Sequence, residues 1–264
     1  MARPVIKVIK IGGNVIDSPE ALHAFIKDFA RLEGPKILVH GGGKEATRLS
    51  TRLGIETSMI DGRRVTDADT INVCTMVYAG LINKRIVAML QAEGCDAIGL
   101  SGADAGLVRA SKRPAAPIDY GFVGDISNDG VRSDMLDRIL IAGLTPVFCA
   151  IMHDGSGQLL NCNADSVASA VAVGCSSFAD TELCFCFEKD GVMTDVNDPS
   201  SVVRVINHGI FEKMREDGTV NSGMIPKIDN ALRAISSGVS RVVIKNSCRL
   251  LEDSGTMITT GGNV

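Results

Sequence analysis

Val5-Ile6-Lys7-Val8-Ile9-Lys10-Ile11-Gly12-Gly13 and Ile37-Leu38-Val39-His40-Gly41-Gly42-Gly43-Lys44 share one design: a short apolar run, closed by glycines, with a helical pattern behind it. Such a run, bounded by turn residues, reads as a buried strand. After the first, Ser18-Pro19-Glu20 opens a helix, with Ser18 as cap and Pro19 at the first helical position. After the second, a helix spans about 44–53. Working outward, Thr66 is placed to cap a helix running to about Gln91, with Asp67 and Asp69 in its first turn. Residues 97–100 form a short strand, and 99–125 are rich in turn residues that suggest hairpins. From Ser133 the alternation resumes: a helix, a strand at 146–151, a helix at 164–173, a strand at 181–187, a helix at 227–236 and a strand at 241–245. Alternating strands and helices predict an α/β fold, a three-layer αβα sandwich with a mostly parallel central sheet. Ligands of such sheets bind beyond the carboxyl ends of the strands. Both glycine clusters lie there.

Composition narrows the function classes. The chain has 264 residues, 45 % hydrophobic and 22 % charged, with a formal net charge of −4. An acidic chain argues against nucleic acid as the main partner, since phosphate binding needs a basic face. No signal peptide or membrane-spanning run is read in the sequence. The uncharged stretch 139–152 is interrupted by Gly143 and Pro146. The eight cysteines form no CxxC pair and lie mostly in apolar runs, so reduced core thiols and a cytoplasmic location are expected, with no metal site.

Five clusters carry candidate chemistry. Lys10-Ile11-Gly12-Gly13 places a cation beside bare amides, although a solvated strand-end lysine fits the same letters. His40-Gly41-Gly42-Gly43-Lys44 puts free amides at a helix start. It is not a G-x-x-x-x-G-K-[ST] loop, because Leu38 stands at the first glycine and Glu45 follows the lysine. Gly41, Gly43 and Ala46 do match G-x-G-x-x-A, which keeps a nicotinamide dehydrogenase open. Asp61-Gly62-Arg63-Arg64-Val65-Thr66 offers guanidinium forks suited to carboxylates. Asn161-Cys162-Asn163-Ala164-Asp165 reads equally as helix capping. Ser222-Gly223-Met224-Ile225-Pro226-Lys227 places a second lysine at a helix entrance.

Singly these are weak; their order is not. Lys-x-Gly-Gly, His-Gly-Gly-Gly, Arg-Val-Thr, Asn-x-Asn-Ala-Asp and Gly-Met-x-x-Lys, in that sequence, resemble the amino acid kinase family from Val5 to the end of the chain. Within it the chain is similar to the kinases of N-acetylglutamate. The resemblance implies the amino acid kinase fold as a single domain, 1–264. In it, an N-terminal lobe of about 1–152 takes the acylglutamate and a C-terminal lobe of about 153–264 takes ATP with Mg²⁺, with no tightly bound cofactor. It implies phosphorylation of the side-chain carboxylate of N-acetyl-L-glutamate, a step of arginine biosynthesis. By the same resemblance Lys10 and Lys227 stabilise the phosphoryl group in transit and Asp165 orients them. Gly12 and Gly13 serve the phosphates, and Gly42 and Gly43 the substrate. Arg64 and Asn161 hold the α-carboxylate, and Asn163 lines the pocket. A glutamate side chain is already ionised at neutral pH, so no general base is required and the four histidines need no catalytic arrangement.

Three departures stand out. Where the family carries an Asp-Val pair beside the nucleotide, this chain has Glu188-Lys189 followed by Asp190-Gly191-Val192, leaving Lys189, Asp190 and Gly191 as the nucleotide contacts. Arg63 replaces an apolar residue, and it either faces solvent or meets an acidic acyl group such as succinyl. Only Met1 to Pro4 precede the first strand, whereas arginine-inhibited members carry an extra helix. A homodimer without arginine feedback is therefore expected, formed through the 67–91 helix and its stripe of Ile71, Val77 and Leu81. Ordinary core packing explains that stripe as well. A catalytically silent amino-acid sensor is a further alternative, against which the retained lysines and Asp165 argue.

Overall fold

In a computed structural model that describes residues 4–60, 62–127, 129–195, 197–220 and 224–261, eight strands form one central sheet. They are β1 (Val5–Ile11), β2 (Lys36–His40), β3 (Ala97–Leu100), β4 (Thr145–Cys149), β5 (Asp180–Phe187), β6 (Val205–Ile206), β7 (Arg241–Asn246) and β8 (Thr256–Ile258). Their order is β6-β8-β7-β5-β1-β2-β4-β3. The six strands from β7 to β3 are parallel; β8 runs antiparallel to β7 and pairs in parallel with β6. Every residue of β2 and β4 is buried, as expected of parallel strands covered on both faces. Asp61, Ser222 and Gly223 of the clusters above lie outside the described residues.

The flanking helices are α1 (Gly13–Asp17), α2 (Pro19–Arg31), α3 (Gly43–Arg52), α4 (Ala68–Ala92), α5 (Ser133–Ile141), α6 (Ala164–Ser176), α7 (His208–Glu216) and α8 (Ile225–Ser236). Ser18 caps α2 as expected, its hydroxyl accepting from the Ala21 amide at 3.3 Å. Helix α6 packs across β5, β1 and β2, and α8 lies against α6 and β7. The hairpin expected within 99–125 is present as Ser111–Lys112 paired with Gly124–Asp125.

Two expectations about α4 require correction. Asp67, not Thr66, is the cap: its carboxylate accepts from the Thr70 amide at 2.8 Å, while Thr66 is fully buried. The expected surface stripe divides between core and solvent. Ile71 and Val77 are 5 % and 1 % exposed and belong to the core, whereas Leu81 is 44 % exposed beside Met76 at 53 %. The middle of α4, Met76–Ile82, is wound as a π-helix. By length and composition α4 is the one described helix that would suffice to cross a membrane, but its apolar face is packed inside the fold.

Candidate active site

The carboxyl ends of β1 and β2 deliver the two glycine clusters to one edge of the sheet. Lys10, near the end of β1, pairs in register with Phe185 of β5 and Val39 of β2, which draws it into the interior. It is 8 % exposed, so the solvated strand-end reading does not hold. Its ammonium lies 2.7 Å from Asp165 Oδ1, a buried ion pair. Lys227, in the first turn of α8, donates to Asp165 Oδ2 at 3.1 Å. Three residues separated widely in sequence thus form one Lys–Asp–Lys cluster.

Asp165 is where it is because Asn163 caps α6: its side-chain oxygen accepts from the amides of Asp165 at 2.8 Å and Ser166 at 3.3 Å. Burial alone would raise the Asp165 pKa, and it is the largest single influence. The charges and hydrogen bonds of Lys10 and Lys227 together outweigh it and hold the carboxyl at about 2. The cluster therefore carries a net positive charge at neutral pH, in a place nearly closed to water. A phosphoryl group in transit requires such a field.

Beside α3 lies a pocket of about 160 Å³ lined by Gly43, Arg63, Arg64, Tyr78, Asn161 and Asn163, with Met59, Val123 and Cys162 among the apolar walls. Arg64 is 7 % exposed. Its Nη2 donates to Gly43 O and to Thr47 Oγ1, each at 2.7 Å. Its Nη1 is buried and has no partner among the described residues. A buried guanidinium nitrogen without an acceptor is costly, and a bound carboxylate would supply one. Asn161 donates to Thr66 Oγ1 at 3.1 Å, and Thr66 in turn to Arg64 O at 3.0 Å, so the pocket's polar residues hold one another in place.

Among Gly12, Gly13, Gly42 and Gly43, Gly42 is the most constrained by space: an added Cβ would stand 2.4 Å from Ile82 Cδ1 and 2.8 Å from Tyr78 Cδ1. Gly13 and Gly43 begin α1 and α3, where the first amides of a helix have no partner within it. Gly12 differs from expectation, since its amide already donates to Cys186 O at 2.9 Å and is not bare. Lys189, Asp190 and Gly191 follow β5. The Asp190 carboxylate accepts from Asn246 at 2.9 Å and lies 3.8 Å from Arg249, and Gly191 packs on Thr256. None of these contacts reaches the Lys–Asp–Lys cluster. Lys44 donates to Asn14 Oδ1 of α1 at 2.5 Å and lies 3.6 Å from Asp17.

Sequence reasoning missed three participants. Tyr78 lines the pocket from the π-helical stretch, with burial raising its pKa, and nothing in an apolar helix marks it. Thr47 holds the guanidinium of Arg64. His40 is fully buried: its Nδ1 donates to Gly41 O at 2.8 Å, while its Nε2 accepts from Asn83 at 3.1 Å, and burial lowers its pKa to about 4. This neutral imidazole pins the second glycine loop to α4.

Among the described residues no group of three His, Cys, Asp or Glu is placed to hold a metal ion.

The chain is similar to known proteins over most of its length. The profile of the Amino acid kinase family matches residues 5–246. The acetylglutamate kinase of Cytophaga hutchinsonii is 53 % identical over 93 % of this chain and 92 % of its own length. That of Bacteroides thetaiotaomicron is 45 % identical over 97 % and 99 %. A solved structure from Streptococcus mutans superposes with a TM-score of 0.77 at 26 % identity, covering 97 % of this chain and 99 % of that one. The chain is a member of the amino acid kinase family, alongside the acetylglutamate kinases.

Proposed function

We propose that the protein transfers the terminal phosphoryl group of ATP to the side-chain carboxylate of N-acetyl-L-glutamate, as the relatives' names indicate for them. The observation that carries this reading is Asp165 held between Lys10 and Lys227, near a pocket whose Arg64 has a buried nitrogen without a partner among the described residues. A carboxylate oxygen attacks the γ-phosphorus, the bond to the β-phosphate oxygen breaks, and its electron pair leaves with ADP. The nucleophile is already an anion, so the protein removes no proton. Its task is to bring two anions together, which Lys10, Lys227 and the free amides at the starts of α1 and α3 are placed to do. Asp165 acts through the lysines as a positioning residue. Mg²⁺ would arrive on the nucleotide phosphates, which neutralises charge there without a protein cage.

We assign the α-carboxylate to Arg64 and Asn161, with Gly42, Gly43, Asn163 and Arg63 around the rest of the substrate. Residues 1–152 supply most of that site and 153–264 most of the nucleotide site, with Lys189, Asp190 and Gly191 beside the nucleotide. We further assign the step to arginine biosynthesis in the cytoplasm. The protein acts as a homodimer, for which the exposed Met76 and Leu81 on α4 are the supporting observation. The test is formation of ADP and a hydroxylamine-trappable acyl phosphate from N-acetyl-L-glutamate, with N-succinyl-L-glutamate run in parallel. Lys10→Ala and Lys227→Ala should each lower kcat about a hundredfold, roughly 3 kcal/mol of barrier. Folded variants with near-normal turnover would sink the assignment.

A further inference from the structure

A second cavity, of about 370 Å³, lies between α6, α8 and the hairpin of Ser111–Lys112 and Gly124–Asp125. Three guanidiniums line it: Arg63, Arg113 and Arg233. One carboxylate, Asp125, faces them, paired with Arg113 at 2.5 Å. The lining thus carries a net charge of about two positive units on a chain whose formal charge is −4. The arginines are held in place. Arg113 also stacks 5.6 Å over the Tyr120 ring, and Arg233 donates to Asn230 Oδ1 at 2.7 Å. Two polar atoms of the lining, Arg113 Nε and Ser169 Oγ, are buried without a partner among the described residues.

Like charges gathered in a concave wall repel one another unless an anion joins them, and within a Debye length of about 10 Å salt screens them little. Guanidinium forks and a hydroxyl are donors matched to oxyanions. We propose that this cavity is a binding site for a small doubly charged oxyanion, of the phosphate-monoester or dicarboxylate class. It is separate from the Lys10–Asp165–Lys227 cluster. Its walls are continuous with the candidate active site, because Arg63 lines both cavities, Ser166 follows Asp165 on α6, and α8 carries Lys227. The cavity is too small for a polymer. The inference does not depend on which acylglutamate the protein phosphorylates.

The test is titration calorimetry of the full chain with sodium phosphate and, separately, sodium succinate, at constant ionic strength set with sodium chloride. Each is run with and without saturating ADP, which occupies the nucleotide site. The expected result is saturable binding of one equivalent that persists with ADP. It should weaken at least tenfold in Arg113→Gln and in Arg233→Gln, and tighten in Asp125→Asn. Binding by phosphate alone assigns the phosphate-monoester class, by succinate alone the dicarboxylate class, and by both a general dianion site. Arg233 is exposed, so its substitution leaves folding intact. The proposal is overturned if neither anion saturates, if ADP abolishes the binding, or if the variants bind as the native protein does.

Discussion

Replacing Asp165 by Asn tests the cluster through stability rather than turnover. The amide keeps the shape of the side chain and removes its charge, leaving Lys10 at 8 % exposure facing a neutral group. Breaking a buried ion pair by removing one partner costs about 3–5 kcal/mol. The titration of Asp165 gives an independent figure. Its pKa falls from 3.8 to about 2 on folding, which corresponds to about 2 kcal/mol of stability near neutral pH. A depressed carboxyl contributes fully above its unfolded pKa and loses the contribution as pH falls through the folded value. Urea unfolding of native and Asp165→Asn proteins should therefore differ by about 2–4 kcal/mol near neutral pH. The difference should hold down to about pH 4 and shrink towards pH 2. Equal stabilities at neutral pH, or a difference unchanged between about pH 5 and pH 2.5, would refute the account of a carboxylate held charged by two lysines.

Three further outcomes follow from the same geometry. Arg64→Lys loses the planar fork and should raise KM for the acylglutamate tenfold or more with a smaller change in kcat, about 1.5–3 kcal/mol in binding, read from initial rates. Thermal unfolding should show stability falling as pH drops from 6.5 through about 4, by about 3 kcal/mol in total, because the unfolded chain protonates His40 before the fold can; His40→Gln should flatten that slope. Gly42→Ala places a methyl 2.4 Å from Ile82 Cδ1 and should cost about 1–3 kcal/mol by denaturant unfolding, the range for overpacking.

The parallel core was legible because buried strands write themselves as apolar runs ended by turn or polar residues: β1 and β2 run into glycines, and β5 into Glu188-Lys189-Asp190-Gly191. The two-residue and three-residue strands β6 and β8 were not. Val205–Ile206 and Thr256–Ile258 are too short to show a period, and only the pairing of β8 with β7 and of β6 with β8 makes them strands. In the site, Lys10, Asp165 and Lys227 were legible only as members of an ordered set, since each letter alone fits capping or solvent. Their convergence on one carboxylate is a property of the sheet register. Tyr78 and Thr47 carried no signal, because a phenol in an apolar helix and a threonine on a polar one look ordinary until the chain closes. The bare amide expected at Gly12 failed for a local reason: β5 ends beside it and supplies the Cys186 carbonyl.

The π-helical stretch of α4 has a consequence for how this chain tolerates changes in length. Cys74, Tyr78, Ile82, Ile86 and Leu90 are all buried and recur at a strict interval of four. In a regular α-helix that interval drifts by about 40° a step, roughly 160° over the run, which would carry Leu90 towards the far side. The wider turns at Met76–Ile82 absorb the drift, so α4 is equivalent to an ordinary helix holding one inserted residue. Deleting the exposed Gly80 would restore the common spacing of four, three, four and four and let the helix rewind with its core face intact. The loss would fall on Tyr78 and Ile82, whose close fit over Gly42 exists only while the extra residue is there.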